Sequence, residues 1–291
     1  MKPSRFEYFS PATAAEAVEI LANFEGTARL LAGGQSLVPI LNFRVFAPAA
    51  LIDLNRCRGL DEIRKDGTLL VLGAMVRQSA AETSETIRAC CPLLTATAPF
   101  LGPNAVRNRG TVGGSLAHAD RVAELPAVAV ALGATMVAEG PKGRRDIAAD
   151  DFFLGDLTNS LAVDEMLREV RFPVSSPVQR FAFVEATNRH HDLALVGVAL
   201  KLTLRENRCE QAAIVVVGIG PKPTHLSASE RSLVGNRLDA DAVRNASALS
   251  IEGTEFESDP HTPASYRRHV LPALVERALL QAMSQGLSIQ R

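Results

Sequence analysis

The stretch LLAGGQS at residues 30–36 ends an apolar run with two adjacent glycines, and GTVGGS at residues 110–115 repeats this pattern. Glycine takes positive φ without steric cost, so one such pair alone is most often a tight turn. Residues without side chains also expose consecutive backbone N–H groups, which can hold a phosphate or a diphosphate without any lysine. A ligand shared by both bends would need side-chain donors to complete its cradle. Four residues are placed to supply them: Gln35, Ser36, Thr111 and Ser115.

Other phosphate-binding motifs find no support in the sequence. Neither bend continues into Gly-Lys-Ser/Thr, so nucleoside triphosphate hydrolysis is not indicated. The nearest dinucleotide fingerprint, Gly218-Ile219-Gly220, follows an apolar run but has Pro223 where a third glycine would let a helix pack. We interpret it as a turn that ends a strand.

The composition is that of a globular chain without an electrostatic signature. Of 291 residues, 47% are hydrophobic, and 31 basic residues stand against 32 acidic ones with no run of one sign. Nucleic acid and anionic membrane surfaces are therefore not expected as partners. The N-terminal stretch lacks the apolar core of a signal peptide, and no apolar run reaches the roughly 18 residues that a spanning helix needs. We predict a cytoplasmic protein with no membrane insertion.

Helix and strand patterns alternate over the first part of the chain. A capping box at Thr13 and Glu16 opens a predicted helix that ends at Gly26. The runs ARLLAG and ALIDLN then predict two short strands. This order indicates a small unit in which strands and helices alternate.

The middle of the chain is mixed. After the strand-like run LLVLGAMV comes a helix-like stretch at 79–98. The second glycine pair follows, and then a predicted helix that Asp120 could cap and Gly133 could end. From Gly133 to Pro173 the short runs indicate small strands joined by turns.

The last part of the chain begins with PVSSP at 173–177, a predicted linker. Three strand-like runs follow, and the polar turn RENRCEQ between the last two favours an antiparallel meander. Three helices are predicted after them, the first with a capping box at Ser227 and Glu230. In the last, Pro272 should kink or restart the helix, because proline lacks the amide hydrogen that a helix interior uses.

Two longer segments carry a resemblance to a known family. AGGQSLVPILNFR at 32–44 and RNRGTVGGSLAHAD at 107–120 resemble the FAD-binding medium subunits of the molybdenum hydroxylases. The likeness extends to ELPA at 124–127, to the pattern D-x-A-x-V-G-V-A at 192–199 and to YRRH at 266–269. The resemblance covers nearly the whole chain and is specific in residue identity and spacing.

The resemblance implies an α+β fold with three parts. Two α/β subdomains of the PCMH type, at 1–56 and 57–176, would cradle FAD, the second of them containing an antiparallel sheet. A C-terminal α+β domain at 177–291, with a three-stranded antiparallel sheet and helices, would follow. The order of strands and helices read from the sequence agrees with this plan.

The resemblance also implies which residues bind FAD. Both glycine loops would hold the diphosphate and the ribityl chain, mainly through backbone N–H groups: Ala32, Gly33, Gly34, Gln35, Ser36 and Leu37, then Thr111, Gly113, Gly114 and Ser115. Leu101 matches a contact before the second loop, Glu124 an acidic residue after it, and Leu167 a position near the adenine. For Asp120, a cap of the following helix and a ligand contact are equally favoured, and the two roles are compatible.

A polar loop before the pattern at 192–199 is implied to approach the isoalloxazine ring. The family has R-x-G-D-[YF]-A there, with the acidic residue near the ring. This chain keeps Asp192 but has His191 for the glycine and Leu193 for the aromatic residue, so the shielding of the flavin departs from the family pattern. Arg189, or a protonated His190 or His191, would raise the flavin potential if it pointed at the ring.

The implied function is electron transfer without a catalytic acid, base or nucleophile in this chain. Electrons from a molybdenum cofactor in a large molybdopterin-binding subunit would pass through [2Fe–2S] clusters of a small subunit to FAD here, and then to an external acceptor. The four cysteines, Cys57, Cys90, Cys91 and Cys209, cannot hold two such clusters, since each cluster needs four ligands. No metal site is expected in this chain, and the complex would be a heterotrimer present in two copies.

Two other functions stay open from the residues alone. One is a stand-alone FAD-dependent reductase of similar fold, which would need its own proton donor beside the flavin. The other is a nucleotide-binding regulatory protein without redox chemistry.

Overall fold

The computed structural model describes residues 2–189 and 192–285. His190 and His191, for which a charge effect on the flavin is predicted, lie outside the described residues. The described part of the chain forms sheets of three, five and four strands in succession, with helices between and after them, so the predicted α+β fold class is confirmed. None of its helices is both long and apolar enough to cross a membrane.

A small parallel sheet opens the chain. Its elements are β1 (Glu7–Phe9), α1 (Ala14–Asn23), β2 (Ala28–Leu31), α2 (Leu37–Asn42) and β3 (Ala50–Asp53). The strands lie in the order β1, β3, β2, and both pairings are parallel. The predicted cap at Thr13 is confirmed, since its hydroxyl accepts from the Glu16 amide. The Glu16 carboxylate accepts from the amide of Ala12, one residue before the cap, rather than from that of Thr13. A short 3₁₀ turn, Leu54–Arg56, follows β3 directly.

A five-stranded antiparallel sheet forms the second unit. It is built from β4 (Ile63–Asp66), β5 (Leu69–Gly73), β6 (Thr135–Gly140), β7 (Gly143–Ala148) and β10 (Met166–Pro173), in the order β4, β5, β10, β6, β7. A two-stranded pair, β8 (Phe153–Gly155) and β9 (Thr158–Asn159), lies between β7 and β10 in the chain. Its helices are α3 (Gln78–Thr83), α4 (Glu85–Cys90), α5 (Pro92–Thr97), α6 (Asn104–Arg107), α7 (Val112–His118), α8 (Glu124–Leu132) and α9 (Ala149–Phe152).

The helix-like stretch at 79–98 is broken into pieces. Ser84 has extended backbone angles and its hydroxyl caps α4 by accepting from the Ile87 amide. Cys91 is also non-helical, and Pro92 then begins α5 at a position where no amide hydrogen is needed. The sequence pattern reads as one helix because the apolar spacing continues across both breaks.

The helix α8 ends as predicted but does not begin as predicted. Gly133 ends it with a φ of 66°, in the left-handed region that favours glycine. Asp120 was expected as a possible cap, but Ala123 holds the cap position. The Asp120 carboxylate instead accepts from the Val122 amide at 3.0 Å in a turn that precedes the helix. The cap alternative for Asp120 is therefore wrong.

The C-terminal unit is an antiparallel meander covered by helices. Its elements are β11 (Gln179–Ala186), β12 (Val196–Arg205), β13 (Arg208–Val217), β14 (Thr224–His225), α10 (Ser227–Leu233), α11 (Ala240–Leu249) and α12 (Ala264–Ser284). The predicted meander is confirmed, and the two-residue strand β14 adds a fourth member to the three long strands. The turn between β12 and β13 is only two residues, because Glu206 and Asn207 both adopt positive φ.

Two predictions about the C-terminal helices are corrected, the first of them by a long-range contact. Ser227 lies inside α10 rather than capping it, and the Glu230 carboxylate accepts from the Ile214 amide at 2.7 Å instead of closing a capping box. The helix α12 runs unbroken through Pro272, so no restart occurs there. The predicted strand-ending turn is confirmed at Gly218, whose φ is 86°.

The second unit and the C-terminal sheet share one hydrophobic core. All nine residues of α8 are buried, and this helix packs against β12 and β13. Phe183 of β11 packs against Phe100 with 5.2 Å between ring centroids. Arg121 adds polar links across the same junction, accepting from the Gly218 amide through its carbonyl and pairing with Glu257 at 3.0 Å. The boundaries 56/57 and 176/177 stay predictions.

Candidate site between two glycine bends

The two glycine bends, 80 residues apart in sequence, touch each other in the fold. A Cβ atom built on Gly33 would lie 2.2 Å from the carbonyl oxygen of Arg109 and 2.8 Å from Cα of Gly110. A Cβ on Gly114 would lie 3.3 Å from Cβ of Ala32. The bends therefore approach at backbone distance, which is possible only because Gly33 has no side chain.

The first bend presents a row of unused amides. The N–H groups of Gly33, Gly34, Gln35 and Ser36 donate no hydrogen bond to any residue in 2–189 or 192–285. Gly33, Gly34 and Gln35 are partly exposed, Ser36 is exposed, and Gly34 has a φ of 71°. Backbone N–H groups that are shielded from water are rarely left without a partner, whereas these four can reach solvent or a ligand. Consecutive N–H groups in such a bend form a concave site for an anion such as a diphosphate.

The second bend uses most of its amides internally. The amides of Val112 and Gly113 donate to Val76 and Ala74 at 2.8 and 2.9 Å. The Gly114 amide donates to the Thr111 hydroxyl at 3.0 Å, and the Ser115 amide donates to the Thr111 carbonyl at 3.1 Å. The side-chain groups that remain on this bend are two hydroxyls: that of the partly exposed Ser115, and that of Thr111, which is only 2% exposed and already accepts from Gly114.

The role of Gly113 follows from packing. A Cβ at this position would lie 2.5 Å from both Cα and Cβ of Ala74. Its missing side chain lets α7 lie directly on the backbone that continues β5. Gly113 thus fixes the position of the second bend and has no amide left for a ligand.

The remaining predicted contacts lie in different surroundings. Leu101 and Leu167 are buried in the shared core, with 5% and 4% of their surfaces exposed. Asp192 is exposed near the end of the polar loop (188–193), where its carboxylate accepts from the Leu193 amide at 3.0 Å. The Leu193 side chain, which replaces the aromatic residue of the family pattern, is 64% exposed.

The polar loop reaches the same junction as Asp120. Gly218 lies so close to the end of this loop that a Cβ there would be 2.5 Å from the carbonyl oxygen of Leu195. The Gly218 amide also donates to the carbonyl of Arg121, the neighbour of Asp120 in sequence. The fold thus brings the polar loop and the turn before α8 to one side of the junction.

Glu124 is a buried acid at the first position of α8. Burial raises its pKa to about 8, with smaller contributions from the charges of Glu185 and Asp120, while its own backbone amide opposes the shift. Glu185 behaves similarly, since burial raises its pKa to about 7 against the opposing charge of Arg277. At neutral pH the Glu124 carboxyl keeps its proton, so it can donate a hydrogen bond to a carbonyl group of a ligand.

Glu124→Gln is expected to flatten the dependence of stability on pH. In the unfolded chain the acid loses its proton near its ordinary pKa of 4.5, whereas in the folded chain it keeps the proton up to about pH 8. The free energy of unfolding of the wild type therefore falls as pH rises through this window, by about 1.4 kcal/mol for each pKa unit of the shift. Glutamine has a similar shape and does not titrate. When the free energy of unfolding from denaturant titrations is plotted against pH from 5 to 8.5, the wild-type curve should fall more steeply than the Glu124→Gln curve.

The control is Glu19→Gln, an exposed position on α1. Its curve should run parallel to that of the wild type over the same range. If the Glu124→Gln curve also runs parallel, Glu124 is ionised in the folded chain and cannot act as a donor.

Two residues at the site were missed in the sequence. Asn55 donates to the carbonyl of Ala32 at 3.0 Å, and Arg77 donates to the carbonyl of Arg109 at 2.5 Å. The available signal is that each follows closely after a strand, β3 or β5, as polar residues at ligand-binding edges often do.

The residues present fit FAD. Its diphosphate needs donors and close backbone approach, which the amides of Gly33 to Ser36 provide beside the hydroxyls of Thr111 and Ser115. Its ring carbonyls accept hydrogen bonds, and a protonated carboxyl such as that of Glu124 is able to donate one.

Comparison with known proteins identifies the family. Residues 4–175 match the model of the FAD binding domain in molybdopterin dehydrogenase, and residues 181–282 match that of the CO dehydrogenase flavoprotein C-terminal domain. Subunit alpha of the 6-hydroxypseudooxynicotine dehydrogenase complex of Paenarthrobacter nicotinovorans is 37% identical, over 98% of this chain and 97% of that protein.

Solved structures agree with these matches. A chain of carbon monoxide dehydrogenase from Hydrogenophaga pseudoflava superposes with a TM-score of 0.94 at 34% identity, covering 98% of this chain and 99% of that one. A chain of quinoline 2-oxidoreductase from Pseudomonas putida 86 gives a TM-score of 0.93 at 37% identity, with the same coverage. The chain has an FAD-binding domain, and the molybdenum and iron–sulfur centres of such enzymes belong to partner subunits. This protein belongs to the family of FAD-binding medium subunits of the molybdenum hydroxylases, which are oxidoreductases.

Proposed function

We propose that this chain is the exit point for electrons in a molybdenum hydroxylase. Electrons from the molybdenum and [2Fe–2S] centres of partner subunits would leave the complex here for an external acceptor. The observation that carries the proposal is the row of four unused amides at Gly33 to Ser36, in a bend that packs against the hydroxyl-bearing second bend. FAD, when bound, supplies reversible redox chemistry that the side chains of a protein lack. The task of this chain is to bind, orient and shield it.

The proposed contacts divide between the two bends and the junction. Residues 32–37 would hold the diphosphate by their amides, while Thr111 and Ser115 would add hydroxyl donors. Gly113 and Gly114 would serve by their lack of side chains. Leu101 and Leu167 would supply apolar contacts. Asp120, Glu124 and Asp192 would supply polar contacts near the ring.

The proposed assembly follows the relatives. One is by name a subunit of a dehydrogenase complex, and a structural relative is a chain of a carbon monoxide dehydrogenase that lacks part of its molybdenum cofactor. We propose a large molybdopterin-binding subunit and a small [2Fe–2S] subunit as partners of this chain, with two copies of each heterotrimer in the complex.

Purification of the full chain, alone and co-expressed with its neighbouring reading frames, tests this function. We expect the lone chain to bind FAD and to show no turnover with NADH or NADPH beyond that of free FAD. The co-expressed complex should contain molybdenum and iron, and its own substrate should bleach the flavin absorbance. Rapid reduction of the lone chain by NADPH would instead support a stand-alone reductase, and failure to bind FAD would overturn the proposal.

A further inference from the structure

A path of side-chain hydrogen bonds joins the backs of the two bends. The Asn55 amide donates to the Ala32 carbonyl at 3.0 Å and accepts from the Arg77 guanidinium at 2.7 Å. A second nitrogen of the same guanidinium donates to the Arg109 carbonyl at 2.5 Å. Two side chains thus connect a carbonyl of the first bend to a carbonyl beside the second.

The path is anchored in the first sheet. The Asp53 carboxylate at the end of β3 accepts from both the backbone amide and the side-chain amide of Asn55, at 2.9 and 2.5 Å. The other oxygen of Asp53 accepts from the Tyr8 hydroxyl at 2.5 Å. Asn55 is therefore held in one orientation, with its nitrogen towards Ala32 and its oxygen towards Arg77.

This arrangement sets the direction of the unused amides. In a trans peptide the C=O and N–H groups point in opposite directions. Because Asn55 holds the Ala32 carbonyl at the back of the bend, the Gly33 N–H must point to the opposite side. In the same way, the Gln35 side chain donates to the Gly33 carbonyl at 3.0 Å and so directs the Gly34 N–H.

Arg77 also acts on the charge of the site. The Arg109 carbonyl oxygen lies against Gly33, where its partial negative charge would oppose an anion bound by the first bend. The Arg77 guanidinium donates to this oxygen and offsets that charge. The backbone of Arg77 lies opposite Thr111 in a β-bridge, so the arginine is itself fixed to the second bend.

We propose that Asn55 and Arg77 are positioning residues that lock the two bends together and aim the amides of the first bend at the diphosphate of the bound cofactor. This inference rests on the proposed function for the identity of that cofactor. Neither side chain needs to touch FAD for this role.

Affinity measurements on the full chain test the proposal. The affinities for FAD and for ADP, which shares the diphosphate, would be measured by calorimetry for Asn55→Ala, Arg77→Met, Arg77→Lys and the double variant Asn55→Ala/Arg77→Met. We expect each non-conservative single variant to bind both probes about tenfold to a hundredfold more weakly, the range for loss of a charge-assisted hydrogen bond. Arg77→Lys keeps the positive charge but loses the planar guanidinium that donates to Asn55 and Arg109 at once, so its affinity should lie between those of Arg77→Met and the wild type.

The double variant and a control variant make the affinity test more specific. Because the two residues form one path, the double variant should lose much less than the product of the single losses. The control is Arg205→Met, which removes an arginine paired with Glu210 on the distant β12–β13 hairpin. Its affinities for FAD and ADP should equal those of the wild type.

The outcomes separate this inference from the proposed function. If the wild type binds FAD and ADP and the Arg77→Met and Asn55→Ala variants bind them equally well, the positioning role is overturned and the function stands. The same holds if these variants lose only stability, seen as a lower free energy of unfolding with unchanged ADP affinity of the folded chain. If the wild type binds neither probe, the proposed function itself is overturned.

Discussion

Gly33→Ala is expected to abolish measurable FAD binding. The new methyl group would lie 2.2 Å from the Arg109 carbonyl oxygen and within 3 Å of the backbone of Gly110. Neither of these is the far end of a flexible side chain, so the two bends must move apart. We expect a loss of affinity of more than about a hundredfold, since both the amide row and the opposing hydroxyls would be displaced together. Quenching of flavin fluorescence on titration with the full chain would measure it.

The matched control is Gly220→Ala. A Cβ there meets nothing within 4 Å, and its φ lies outside the left-handed region. This variant should bind FAD like the wild type. If Gly33→Ala retains wild-type affinity, the diphosphate does not lie between these bends. Circular dichroism of both variants would show whether any loss reflects failure to fold.

Arg267→Met is expected to have the largest effect on stability. Arg267, in the first turns of α12, is 1% exposed, pairs with Asp259 and donates to the Glu257 carbonyl at 2.6 Å. Methionine fills similar volume but leaves the Glu257 carbonyl without this donor, and Asp259 keeps only its backbone donors, the amides of His261 and Thr262. We expect the free energy of unfolding to fall by about 2 kcal/mol, as for the loss of hydrogen bonds from a charged donor, since the remaining Asp259 side chain is 26% exposed to water. Urea unfolding of the full chain would measure the change.

The control and the pH dependence identify the cause. Arg244→Met breaks an exposed pair with Asp241 and should cost less than about 1 kcal/mol. Although burial would raise the pKa of Asp259, hydrogen bonds from Arg267 and two backbone amides outweigh it and lower the pKa from 3.8 to about 2. The stabilisation is therefore present above about pH 4 and is lost as pH falls towards 2. Equal acid sensitivity of Arg267→Met and the wild type would contradict this account.

Much of the fold follows from local pattern. The spacing of Ala14, Ala17, Val18 and Leu21 predicts the buried face of α1, and those four residues are the ones that it buries. The polar turn in the C-terminal meander was predicted because two apolar runs flank it. Such features depend on neighbours in sequence, which a single chain displays directly.

Contacts between distant residues account for what the sequence did not predict. Glu230 has the spacing of a capping box, yet its carboxylate accepts a hydrogen bond from the Ile214 amide of β13 instead. Asn55 and Arg77 lie 22 residues apart, and Arg77 and Arg109 lie 32 apart. Their pairing exists only in the folded chain, since β3 and β5 belong to different sheets. The one local signal, a polar residue soon after a strand, is shared by many ordinary surface side chains.

The buried helix α8 limits how this protein can be divided. All nine residues of this helix are buried, and part of it packs on β12 and β13. Cutting the gene at the linker would therefore expose a mainly apolar helix on one half and an uncovered sheet face on the other. The FAD-binding half is therefore not expected to fold well when it is separated from the C-terminal half. Recombination that shuffles flavin modules between enzymes of this kind would have to carry both halves together.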